Sequence, residues 1–357
     1  MTDINFRKDN HYVSQAYLRH WESSPGKVFL YHILVSHENV PFWHEKSIKG
    51  IAYHQHLYTR HVSGTQSDEI ERWFSTDFES PAELSIQKVI NEDRLSTDDW
   101  HKLVRFLAMQ DVRTPARLTE FFQRHTEESI RKALDETLES LPEKLEKMKQ
   151  VAEPGADEKV ADFPLKVTTE IREGEEFGIV KVETVVGRAL WLKGIQHQLN
   201  NTIEVLHQHK WTIMHPARGM TWFTTDKPVI RLNYDSPKKY NFNGGWGSKG
   251  TEILMPLSPE HMLYTRIGHR PPVRGSRFSA EITNTLRRLI AEHAHRYVFG
   301  NIADSEVPTY RPRTVNAEDY KFEQEQWQRW HAEQTESEEY LFSGNTGYPA
   351  PFVLGMF

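Results

Sequence analysis

The chain has 357 residues, a formal net charge of −6, 38% hydrophobic and 11% aromatic residues, and no cysteine. That length suits one large or two modest domains with a real core, so global disorder is excluded. Disulfides, thiolate metal sites and a cysteine nucleophile are excluded outright. The acidic balance argues against a protein that grips nucleic acid or an anionic membrane mainly by charge. No apolar run approaches the ~20 residues that span a bilayer, and the opening MTDINFRKDN carries no apolar signal core. A cytoplasmic protein without a membrane partner is expected.

Residues 10–21 predict a short helix, with Asn10 as N-cap and Val13, Ala16, Tyr17 and Trp21 as its apolar stripe. Residues 27–36, β-branched and aromatic, predict a buried strand. The stretch 47–62 reads either way. It is part of a histidine-rich region that holds His37, His44, His54, His56 and His61. His54 and His56 would share a face if 51–57 were a strand, which makes half of a metal site at most. Solvated imidazoles are the alternative.

Helices are predicted over 81–91, opening on Pro81, and over 96–113, where Ser96 and Asp99 form a capping-box-like start. Thr114-Pro115 reads as the cap and first turn of another helix. A charged helix is predicted over 128–150, with a break near Pro142, and 151–164 reads as a linker. A hairpin about Glu173-Gly174 is expected over 165–184, then a long helix over about 185–208. Short strands follow at 211–215, 221–225, 228–232, 252–257 and 262–266, with a Gly- and Asn-rich loop at 235–250. Helices over 279–298 and 317–340 close the chain. The implied class is α+β: a mostly helical N-terminal half packed on a small, largely antiparallel sheet from the C-terminal half. Residues 1–310 are expected to form one domain, helical over about 65–150 and sheet-bearing over about 165–310, with strand 27–36 joining the sheet. Residues 311–357 would be a C-terminal helix and tail.

Four segments recur in a familiar order: Asn10-His11-Tyr12-Val13 with Tyr17-Leu18-Arg19; Lys49-Gly50-Ile51-Ala52-Tyr53 with Leu57-Tyr58-Thr59; Phe106-Leu107-Ala108-Met109-Gln110 with Arg113-Thr114-Pro115; and Phe223-Thr224-Thr225-Asp226-Lys227-Pro228-Val229 with Met255-Pro256-Leu257-Ser258-Pro259. Together, over roughly residues 8–300, they resemble the family called domain of unknown function 4238. Ser14 stands where the family pattern usually has proline, and Thr225 where it usually has serine. The resemblance implies a bacterial protein, with an association of some members with anti-phage defence, and no fixed activity.

Physically, Gln110 and Arg113 share a helix face that also points Phe106 and Met109 inward, so both polar groups need partners. Arg113 is read either as a structural tie or as an anion-binding fork. His11 would line a polar stripe with Gln15 and Arg19, suited to proton transfer or to closing backbone hydrogen bonds. Asp226 ends a strand and either reaches a cleft or makes a turn. Thr114 reads as a cap. Arg288 and His293 have a ribonuclease-like spacing, and Asn243–Gly247 is glycine-rich but lacks the Lys-Ser/Thr of a phosphate loop.

These residues support one catalytic expectation. A nuclease-type defence effector would use His11 as general acid or base, Arg113 for charge stabilisation, Gln110 for orientation and Asp226 to orient the histidine or hold a metal. Asn10, Gln15, Arg19, Lys49 and Tyr58 would bind substrate, a nucleic acid or nucleotide. A divalent metal is allowed for, with Glu69 and Glu83 as candidate ligands, and so is a homo-oligomer. The alternatives are a non-catalytic sensor binding a nucleotide or phage protein, or motifs that are wholly structural.

Overall fold

Pro81 shapes the first long helical element. It lacks an N–H, and its ring crowds the carbonyl four residues back. The computed structural model accommodates it by running helix Glu69–Phe74 into a π-helical turn, Ser75–Glu79, and on into helix Ser80–Ile90. It describes residues 6–62, 65–126, 128–129, 132, 165–171, 178–236 and 239–343. Most of the helix expected over 128–150, the linker 151–164 and the turn at Glu173-Gly174 lie outside the described residues.

The next helix, Thr97–Val112, starts where its cap demands. Ser96 Oγ accepts the Asp99 N–H at 3.2 Å, and Asp99 Oδ2 accepts the Ser96 N–H at 2.8 Å. Asp therefore serves the capping box as well as the usual Glu. Every residue from Phe106 to Val112 is buried. Thr114 caps helix Pro115–Arg124, its hydroxyl accepting the Arg117 N–H at 3.4 Å.

The main sheet has six strands in the order Lys239–Asn241, Ile230–Ser236, Glu252–Ser258, His261–Arg266, Thr212–His215 and Ser276–Arg277. All neighbours are antiparallel except the last pair. The strand Lys239–Asn241 lies inside the stretch 235–250 that reads as loop. A second, antiparallel sheet of four strands runs Thr224–Thr225, Tyr297–Gly300, Lys27–His32 and Trp43–Ser47. The early strand thus pairs with the late half of the chain, but in a sheet separate from the six-stranded one it was expected to join. It ends at His32, and Leu34–Val35 pairs with Thr314–Val315 instead.

The expected mostly helical N-terminal half is overturned. Seven strands precede residue 68, among them Asp9–His11, Trp43–Ser47, Tyr53–Gln55, Arg60–Val62 and Thr65–Ser67. The fold mixes strands and helices along the chain, in several sheets. These strands are short and polar, as Trp43-His44-Glu45-Lys46-Ser47 shows, so they lack the apolar alternation that marks a strand in sequence. The expected helix 10–21 shrinks to Gln15–Leu18 and a 3-10 turn Arg19–Trp21, with Ser14 rather than Asn10 at the N-cap. The helix expected over 279–298 ends at His293, and Tyr297–Gly300 is strand. The helix expected over 185–208 forms as Arg188–His197, a π turn Gln198–Thr202 and Glu204–His207.

The C-terminal helix Ala317–Ser343 packs into the same core, with Trp330 fully buried. Arg188 holds it: Nε and Nη2 donate to the two Glu338 oxygens at 2.9 and 2.7 Å, and Nη1 donates to the His56 carbonyl at 3.2 Å. The fork is buried at both ends. Glu338→Ala should therefore lower stability by about 3–5 kcal/mol in urea unfolding, because it strands a buried guanidinium. An Arg188→Met, Glu338→Leu double variant should recover most of that loss.

Candidate functional site

The first and third motif segments meet at one carbonyl, and the other two attach beside it. Tyr12 O accepts Gln110 Nε2 at 2.6 Å and Arg113 Nε at 3.2 Å. Gln110 Oε1 accepts the Ser14 N–H at 3.4 Å. Asn10 Oδ1 accepts the Tyr58 N–H at 2.9 Å, and the Tyr58 hydroxyl donates to the Arg113 carbonyl at 2.6 Å. The fourth segment joins through Tyr17, whose hydroxyl lies 2.6 Å from both Thr224 Oγ1 and the Pro256 carbonyl. Four distant stretches are thereby tied by buried hydrogen bonds.

Arg113 has no exposed surface. Its Nη2 donates to Glu79 at 2.7 Å, its guanidinium lies 5.4 Å from the Phe74 ring centre, and Nη1 has no hydrogen-bond partner among the described residues. Glu79 ends the π turn that Pro81 induces, so the widened helix delivers the carboxylate. Beside this pair, Glu71 Oε2 is buried without a partner among the described residues. Burial pushes the Glu71 carboxyl up to about 8, against the attraction of Arg113. At neutral pH Glu71 is thus mainly a neutral acid.

His11 ends the strand Asp9–His11, so no helical stripe links it to Gln15 and Arg19. The Gln15 amide nitrogen instead lies over the ring, 3.3 and 3.2 Å from its two nitrogens. Burial, opposed by a hydrogen bond with the Lys49 backbone and aided by the Arg113 charge, lowers the His11 pKa. Asp226 is held by a distant segment, the start of strand Tyr297–Gly300: Oδ1 accepts the His295 N–H at 2.9 Å, and Oδ2 accepts those of Arg296 and Tyr297 at 2.6 and 3.1 Å. Its carboxyl is pushed up to about 6 by burial, which outweighs those three bonds. Of the four residues given catalytic roles, only His11 keeps solvent-reachable surface; Gln110, Arg113 and Asp226 are buried. Among the expected substrate contacts, Arg19 and Lys49 are exposed, Gln15 is half-buried, and Asn10 and Tyr58 are buried. Glu69 pairs with Arg60, and Glu83 is exposed on its helix.

A cleft of about 380 Å³ opens beside this knot. Two aromatic walls bound it. In one, His44, His32 and Tyr297 meet edge to face, with ring centres 5.6 and 5.1 Å apart. In the other, Tyr12 and His54 stack at 5.3 Å, and His54 is backed at 3.6 Å by Trp327, which does not itself line the cleft. Lys46 and Tyr53 also line it, and no lining residue is acidic. Burial drives His32 down to about 4 and His54 down to about 3, and lowers His44. The lining imidazoles are therefore uncharged at neutral pH, leaving Lys46 as its cation. Ala52, on the cleft wall, sits at φ +53°, a left-handed conformation that side chains disfavour.

His54 and His56 do not share a metal. His54 stacks on Trp327, and His56, at φ +57°, stacks on His331 at 3.8 Å. Arg288 pairs with Glu292 at the surface while His293 is buried against the Val229 carbonyl at 3.1 Å, so that spacing builds no paired site within the chain. Among the described residues, one group of three metal-type donors converges: Glu92, His215 and His261. Sequence reasoning missed these three, along with Glu71 and Glu79. A buried Arg113 demands a carboxylate, but nothing local selects Glu79 among 50 acidic residues.

The assembled features define a mixed helix-and-sheet protein organised on a buried polar knot with a cleft at its edge. The family model described as Protein of unknown function (DUF4238) matches residues 9–304, and the chain belongs to that family. Neither the comparison with curated proteins nor that with solved structures gives a match.

Glu71 yields a pH-dependent prediction. Its native pKa lies above the unfolded value, so the native state loses stability as pH rises from the ordinary carboxyl range to about 8. Glu71→Gln removes that loss. Its stability relative to wild type should be near zero at pH 5 and greater by about 2–4 kcal/mol at pH 8.5, read by chemical unfolding at the two pH values.

Proposed function

We propose that this protein is a ligand-binding protein whose cleft takes a planar, anionic small molecule, with nucleotides as the leading class. The observation that carries this reading is the cleft lining: aromatic walls, uncharged imidazoles, Lys46, and no carboxylate, in a chain of net charge −6. Stacking on rings holds a planar base without requiring a particular sequence of hydrogen bonds. The volume lies within the range of small-molecule sites. The strained Ala52 and the motif residues Tyr12 and Gly50–Tyr53 build its wall, which gives the knot a purpose: it fixes the segment that shapes the cleft. We place this role in the anti-phage setting that the family resemblance implies, as a nucleotide-responsive component.

The phosphodiesterase alternative rests on His11, which feels the charges of Arg113 and Glu79. The two readings separate in one pair of measurements. Purified protein should show a thermal shift with mono- and cyclic mononucleotides and should leave RNA and DNA intact, with or without magnesium. Nucleic-acid degradation abolished by His11→Ala would instead favour the catalytic reading. Lys46→Ala should weaken nucleotide binding about tenfold by calorimetry, close to 1.4 kcal/mol, without lowering the melting temperature. Affinity for a cyclic mononucleotide, whose phosphate does not titrate near neutrality, should be flat between pH 7 and 8, because burial holds His32 down to about 4 and His54 down to about 3 and lowers His44 from the ordinary imidazole value. Equal affinity in wild type and Lys46→Ala would rule out this cleft.

A further inference from the structure

Glu92 follows helix Ser80–Ile90 at φ +60°, where glycine is the usual occupant. The backbone is pinned there: Glu92 N donates to the Val89 carbonyl at 3.1 Å, and Asp93 N to the Lys88 carbonyl at 2.9 Å. A carboxylate is thus carried on a conformation that disfavours any side chain. It projects to two histidines on neighbouring strands, His215 ending Thr212–His215 and His261 opening His261–Arg266. Both Nε2 atoms face Glu92 Oε1, His261 at 2.9 Å and His215 at 3.2 Å, with the ring centres 4.9 Å apart.

The far sides of both rings are occupied. His215 Nδ1 lies 2.8 Å from the Glu260 carbonyl, and His261 Nδ1 lies 2.8 Å from Ser258 Oγ. A carbonyl only accepts, so His215 Nδ1 carries the hydrogen. A neutral His215 ring then presents an Nε2 lone pair to a carboxylate oxygen. Two lone pairs at that distance repel unless a cation lies between them. Metal-binding imidazoles are oriented in this same way, one nitrogen held by a carbonyl or hydroxyl and the other free to ligate.

We propose that Glu92, His215 and His261 form a binding site for a divalent transition-metal ion of the zinc class. Two imidazoles and one carboxylate suit Zn²⁺, Co²⁺ or Fe²⁺ better than Mg²⁺ or Ca²⁺, which prefer oxygen donors throughout. The ligand atoms all lie within 4.8 Å of one another. The histidines are buried and Glu92 is half-exposed, so the remaining coordination positions face solvent on the Glu92 side. The site shares no residue with the cleft or with the Tyr12 knot, so it stands or falls independently of the nucleotide reading.

The test uses the full chain, stripped with a chelator and titrated with Co²⁺, whose visible absorption reports coordination by nitrogen and oxygen. Wild type should take up one equivalent with a d–d band that Zn²⁺ abolishes. Glu92→Gln, at a half-exposed position that spares the core, and His261→Ala should each weaken uptake at least tenfold, and Ser258→Ala by a smaller factor. Exposed His269 serves as the control, and its alanine variant should bind like wild type. Melting curves without metal confirm that each variant folds. No Co²⁺ band in wild type, or a band that survives Glu92→Gln unchanged, overturns the proposal: the histidines would then bridge to Glu92 through protons alone.

Discussion

A single buried carbonyl, that of Tyr12, holds the organisation of this protein together. It takes two donors from the helix Thr97–Val112 and its C-cap, Gln110 and Arg113. Neither donor has exposed surface, so each would be destabilising without its partner. The carbonyl satisfies both and in return fixes the N-terminal segment against the helical layer. Arg113 then needs a counter-charge, which the π turn supplies as Glu79; Tyr58 needs an acceptor, which the Arg113 carbonyl supplies. The polar residues Asn10, Tyr58, Gln110 and Arg113 of the motif segments are intelligible as a set because each is hydrogen-bonded to a group of another segment.

The histidines show how one residue type is put to several uses by its surroundings. His54 and His56 act as flat rings against the C-terminal helix, and His32 and His44 line a cleft, all four held below the ordinary imidazole pKa by burial. His293 is a core residue with one backbone acceptor. His215 and His261, by contrast, have their outer nitrogens fixed and their inner ones directed at a carboxylate. Count and clustering in sequence pointed to the stretch 37–61, whereas the convergent pair comes from strands 46 residues apart, joined to a loop residue far upstream.

Local physics was legible in the sequence wherever it was strong. The Ser96/Asp99 box, the Thr114 cap, the helical stretch after 185 and the strands near 212, 230, 252 and 261 follow from capping chemistry and hydrophobic period, and the structure places them within a few residues, while the break at Gln198 and the strand Lys239–Asn241 were not legible. The failures have one cause. Strands such as Trp43–Ser47 and Tyr53–Gln55 are short, polar and paired across long separations, so tertiary contacts, not local propensity, make them. The same limit applied to the site. The resemblance picked out Gln110 and Arg113, and helix spacing placed them on one inward face, but their partners Tyr12 and Glu79 are set by the global fold. Asp226, read from Asp-x-Pro as a cleft residue or a turn former, instead binds three N–H groups about 70 residues further on, a partner set that only the global fold supplies.

The pairing of Lys27–His32 with Tyr297–Gly300 spans about 265 residues. A strand emerging early from the ribosome therefore waits for its neighbour until most of the protein has been made, an interval of roughly 15–50 s at ordinary elongation rates. During that time Val28, Leu30 and Tyr31, which end up buried, have no sheet to cover them. Its other neighbour, Trp43–Ser47, is available within moments and is polar, so the nascent segment can rest as a hairpin with one edge open. Biogenesis of this protein is consequently governed by how well that hairpin avoids other chains before the far end of the polypeptide arrives to close it.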